Sequence, residues 1–333
     1  MLTGLRWRVA LDLRPCWYSR SANIGVLLGL IALAAMLVVA VPTMSDTAVL
    51  PDKPAGVVAS TTSGRLYLTT PAKNVLWAFN ARAHVLGTVD LPDGNNVSLA
   101  VNPGTEHVYV LNQPYGIEVL AGATMTQLTS VALSQYASGL AIDPSTNRIY
   151  VATQAGPPSE QAGMAMVLDG WDDRVVAEVP VGMLPMGVAV NPATHRVYVA
   201  NARDNTVSVI DGATASVVAT IQVGPFPHAL AVNAKTNRVY VSDRDGRTVS
   251  VLDGRSNAVL SNIAIGGEPG EVAVNEATNR IYAVSSLPAS VIVIDGARNG
   301  VLSSLKLGPS PYGLAVDPTT NRIYAVSYTH LRA

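Results

Sequence analysis

The sequence predicts an all-β fold, a β-propeller of about seven four-stranded blades with the last one incomplete. Three observations predict it. Seven tyrosines recur in one local frame: GRLYL (Tyr67), EHVYV (Tyr109), NRIYV (Tyr150), HRVYV (Tyr198), NRVYV (Tyr240), NRIYA (Tyr282) and NRIYA (Tyr324), at spacings of 42, 41, 48, 42, 42 and 42 residues. Asp-Gly pairs begin at Asp169, Asp211, Asp253 and Asp295, again 42 apart. A Gly-x-x-Pro frame keeps the same phase at Val181–Met186, Val223–His228, Ile265–Gly270 and Leu307–Tyr312. A repeat near 42 residues built of short strands is the pattern of a propeller blade.

Within one unit the strands read in order. PMGVAVNP gives the first, HRVYVAN the second, NTVSVIDG the third and SVVATIQVG the fourth. Apolar and small or polar residues alternate at period two, and β-branched residues dominate. The turn between the first two strands is NPATHR here and DPSTNR or DPTTNR elsewhere. An Asn or Asp before Pro starts a turn with its side-chain oxygen, and Pro presets φ. Asp-Gly after the third strand supplies another tight turn. No stretch after residue 41 carries a helical period of useful length. The repeated Tyr is expected to pack its ring between neighbouring blades with its hydroxyl near an edge.

The Tyr-Val-x-Asn frame (YVAN at 198–201, YVLN at 109–112), followed by TVSVIDG and VGxxPx, resembles the YVTN-family β-propeller repeats over roughly residues 48–327. The resemblance implies an extracytoplasmic or surface-layer propeller. The shared residues are those of strands and turns, so it implies no activity.

The chain divides into a basic N-region (1–20), a transmembrane anchor or signal peptide (21–42) and the propeller (43–333). Ile24–Val41 holds 18 consecutive residues without a charge, about 27 Å as a helix and enough for a bilayer core. Arg6, Arg8, Arg14 and Arg20 precede it, which keeps the N-terminus cytoplasmic and sends the rest across. The expected location is therefore membrane-anchored with the propeller outside the cytoplasm, or secreted or periplasmic if the segment is cleaved. Cys16, the only cysteine, precedes the apolar run, and no disulfide framework exists. Thr47–Leu50 aligns with a fourth strand and is expected to form the outer strand of the last blade, tying both chain ends together. That blade begins with PYGLAVDPTTNRIYAVS, then departs from the repeat in YTHLRA, so its third strand is missing and 328–333 are expected to be a non-native tail.

Of the 333 residues 49% are hydrophobic and 14% charged, with a net charge of −1. The balance lacks the basic stripe of a nucleic-acid binder. No P-loop, dinucleotide fingerprint or nucleophile elbow is present, and no cofactor or metal is expected.

Propeller ligands enter at a channel mouth formed by the loops from strand four to the next strand one and from strand two to three. The variable position of the Pro-x-Gly frame at that mouth is Ala55, Val97, Ser138, Met186, His228, Gly270 and Tyr312. Ligand-binding candidates are Tyr115, Tyr136, Met183, Met186, Phe226, His228, Glu271 and Tyr312, an aromatic and methionine-rich set suited to adaptable contacts. Glu271 stands where sister blades carry Gly or Ala, and with His228 and Tyr312 it could support acid–base chemistry. Blade three carries a six-residue insertion within TQAGPPSEQAG, expected over the same mouth. Three functions follow: a scaffold binding a protein, peptide, glycan or small molecule at the cell envelope; a lyase or hydrolase with its site at His228, Glu271 and Tyr312; or a structural surface-layer component.

Overall fold

The computed structural model describes residues 7–14, 43–50, 54–113, 116–154, 162–308 and 311–327, with backbone alone for 7–14, 43–50, 96–97 and 327. Six blades follow one another, each an antiparallel sheet of four consecutive strands. They span Val57–Asp90, Asn95–Ala132, Tyr136–Met183, Pro185–Gln222, Pro227–Ala264 and Pro269–Lys306, numbered one to six below. The fourth blade has strands Pro185–Asn191, Arg196–Asn201, Thr206–Asp211 and Ser216–Gln222, as alternation and turn chemistry predict.

The count of seven consecutive blades is corrected to six. After blade six the chain supplies only Leu314–Asp317 and Arg322–Ser327. The missing third strand is not left open, because Trp7–Arg14 pairs antiparallel with Arg322–Ser327, and Thr43–Leu50 forms the outer edge beyond it. This composite sheet closes the ring. Its inner strand contacts both Pro269–Asn275 and Val57–Ala59, and Arg322 donates from Nη1 to the carbonyl of Ala81 in blade one. Ile24–Val41 and the tail 328–333 lie outside the described residues. Among the described residues no helix is long and apolar enough to cross a membrane.

The blades cohere through seven apolar clusters, each shared by two neighbours. Tyr67 packs with Val108, Val110 and Leu120 of the next blade. Tyr240 packs with Ile281, Ile292 and Ile294, and Tyr324 with Leu66, Leu68 and Phe79 across the closing interface. Truncating such a buried ring costs about 3–5 kcal/mol. The ring position also explains the Asp-Gly glycine. A Cβ at Gly212 or Gly254 would stand 2.8 Å from the hydroxyl of Tyr150 or Tyr198 of the preceding blade. Glycine there serves packing between blades as well as the turn.

At the end of the ring carrying the strand one–two turns, hydrogen bonds latch each blade to the next. Asn191 donates to Asn237 (2.7 Å), Asn233 to Asn279 (2.9 Å) and Asn275 to Asn321 (2.8 Å). Each acceptor sits at φ near +50°, in the left-handed region that Asn tolerates. Ser60 with Glu106 and Asp143 with His195 make the same connection with other chemistry. Gly64 holds the corresponding place facing the closing sheet, at φ +66° with no side chain.

Candidate functional site

The inner strands carry a bulge where the Pro-x-Gly frame sits. Pairing with the second strand slips between Pro185 and Val188, Pro227 and Leu230, and Pro269 and Val272. A bulge re-aims side chains, and here it brings the frame positions to the channel. Six of the seven (Ala55, Ser138, Met186, His228, Gly270 and Tyr312) line three adjoining cavities. The side chain of the seventh, Val97, is not among those described.

The first cavity, about 520 Å³, is bounded by His228, Arg244, Glu268, Glu271, Tyr312 and several prolines. The second, about 510 Å³, is bounded by Tyr136, Ser138, Met186, Leu230, His228 and Glu271. A small cleft of about 80 Å³ beside Ser98, Leu99 and Gly313 also reaches Glu271. Both larger volumes suit a small-molecule ligand. Glu271 borders all three because its neighbours around the ring are small: Gly56, Ser98, Gly139, Gly187, Ala229 and Gly313.

Sequence phase thus brings His228, Glu271, Tyr312, Tyr136 and Met186 to one channel. Met183 and Phe226 lie outside the walls of these cavities; the Met183 amide donates to Asp204 and the Phe226 amide to Asn205. Tyr115 and 155–161 of the blade-three insertion lie outside the described residues.

The electrostatics are lopsided. Burial alone raises the Glu271 carboxyl to about 7, and among the described residues it has no hydrogen bond or ion pair. Burial, then the charge of Arg244, lowers the His228 imidazole from its ordinary value. Its Nδ1 is buried without a partner. His228 and Glu271 line the same space yet share no hydrogen bond, so the carboxylate does not orient the imidazole as a catalytic pair requires. Three polar wall groups are engaged with the protein: Tyr136 donates to Gln113 (2.6 Å), Gln113 to the carbonyl of Ala137, and Ser138 to that of Pro185. Among the described residues no three His, Cys, Asp or Glu side chains converge as metal ligands.

Arg244 was missed at the mouth. It sits in the blade-five strand two–three loop SDRDGR, a loop class that phase already assigns there. No protein-family model matches this chain, and no curated protein matches it either.

Proposed function

We propose that this chain is a YVTN-type propeller acting as a binding module at the cell envelope, with a small ligand entering the channel. The observation that carries the reading is the 520 Å³ cavity on which His228, Arg244, Glu271 and Tyr312 converge. Gly270 lines it, and a Cβ there meets nothing closer than 3.9 Å, so Gly270→Trp fills the cavity without disturbing the strand. A thermal-shift screen of small molecules, peptides and glycans should give hits on the parent that vanish in this variant. Hits indifferent to the substitution would sink the reading.

A second reading is catalytic, favoured by a Glu271 carboxyl near 7, where a general base works at neutral pH. Turnover of a bound ligand, lost in Glu271→Gln with binding retained, would establish it.

The envelope location rests on Ile24–Val41 and its basic flank. Closure of the ring sets a condition on it. Arg14 and Thr43 are register partners, so both ends of the intervening stretch meet on the propeller side. A single crossing would instead withdraw Trp7–Arg14 from the sheet. Cys16 reports which holds: an impermeant maleimide applied to intact cells labels it if the strand is paired outside, and not after one crossing.

A further inference from the structure

We infer that the channel takes an organic cation, a protonated primary amine on an apolar body, with its ammonium group against the Glu271 carboxylate. The inference rests on the channel-ligand reading above and adds the ligand's chemistry.

Among the described residues Glu271 is the one acidic side chain on the walls of the two inner cavities. Leu140, Leu184, Met186 and Leu230 give the second cavity an apolar side, facing polar Ser98 and Gln154. Among the described residues no counter-charge pairs with this carboxylate, and a cationic ligand supplies one. The groups facing it do not compensate. His228 of blade five, with its pKa lowered, is neutral above pH 6.5. Arg244 stands exposed at the mouth, and among the described residues it makes no ion pair with Glu271. An anionic ligand would meet the uncompensated charge of Glu271. The adjoining volumes of about 520 and 510 Å³, both bordered by Glu271, accommodate an arylalkyl amine that Gly270→Trp would crowd from the first.

The binding is linked to a proton. Glu271 titrates near 7, so affinity for a cation is full above that pH and falls as the carboxyl protonates below it.

Calorimetry on the full chain with benzylamine and its neutral analogue benzyl alcohol tests this. Benzylamine should bind at pH 8 at least about tenfold more tightly than benzyl alcohol, and about tenfold more weakly at pH 5.5 than at pH 8. Glu271→Gln should abolish both differences while melting no lower than the parent at pH 8, since it removes a buried charge. Equal binding of both probes, sensitive to Gly270→Trp but not to Glu271→Gln, would refute the cation and leave the channel a neutral-ligand site. Benzylamine that fails to bind at pH 8, or binds regardless of both substitutions, would also refute it. The ligand-site reading itself stands or falls on the Gly270→Trp screen.

Discussion

Asp243→Asn should stabilise the propeller, and by an amount set by pH. Asp243 ends the second strand of blade five, fully buried, where blade four has Asn201. Asn201 donates to Thr206 (3.0 Å) and Ser208 (2.9 Å), and its oxygen accepts the Gly182 amide. Asp243 instead accepts from Thr248 (2.9 Å) and Ser250 (2.6 Å) through Oδ2, while Oδ1 is buried without a partner. The single hydroxyl proton of Ser250 also faces Asn262 Oδ1 at 2.9 Å. Burial outweighs these bonds and raises the carboxyl from 3.8 to about 6. A raised folded pKa favours the protonated native state. Its contribution is therefore full below the unfolded value and lost as pH rises through 6, leaving an ionised, poorly compensated carboxylate above it. Two pK units correspond to about 3 kcal/mol. Asparagine removes that cost, donates to both hydroxyls and frees the Ser250 proton for Asn262. Urea unfolding followed by circular dichroism should give a gain of about 3 kcal/mol at pH 8, shrinking towards zero by pH 4. The other carboxylates titrate in both proteins and cancel. A gain independent of pH, or a loss at pH 8, would refute the reasoning.

Gly254→Ala should destabilise by about 2–3 kcal/mol, because the new Cβ meets Tyr198 of blade four and the side chain of Asn237; chemical denaturation measures it, and a neutral result would remove the packing role of the Asp-Gly turn. His195→Ala should cost about 1 kcal/mol at neutral pH, since the buried Asp143 loses a 2.9 Å donor and Ala is strained at φ +54°. Burial would raise Asp143, but Ser145 and His195 together lower it. Its contribution is therefore lost as pH falls through the folded value, and parent and variant should converge in acid. His195→Asn should stay within about 0.5 kcal/mol of the parent, because Asn keeps both backbone and latch. Gly64→Asn should stabilise by about 0.5–1 kcal/mol by adding a latch towards Asp317. A Cβ at Gly64 has open space within 4 Å; unchanged or lower stability would show that the closing interface lacks the geometry of its sisters.

The Tyr frame, the Asp-Pro and Asn-Pro turns and the Gly-x-x-Pro frame were legible because each is chemistry within one unit of about 42 residues. They placed His228 and Glu271 at a common mouth from phase alone. The same phase also gathered Met183 and Phe226, whose backbone amides are tied into neighbouring turns and which are absent from the walls of the three cavities described. Arg244 and Asp243 were illegible for another reason. Each sits at a position whose sisters carry other residues, and its meaning lies in burial and charge that only packing creates.

The sequence by itself determined the blade, its strand order, its turns and the ring of positions that line the channel, because alternation and turn residues act over a few neighbours. Tertiary structure decided how the ring closes. The third strand of the last sheet comes from Trp7–Arg14, and Arg322 reaches Ala81 across a sequence separation of 241 residues. No local pattern records such a pairing. Tertiary structure also decided that Glu271 has no hydrogen bond or ion pair among the described residues. Its isolation follows from the small residues of six other inner strands and from the neutral state of His228, properties of the assembled channel rather than of any one repeat.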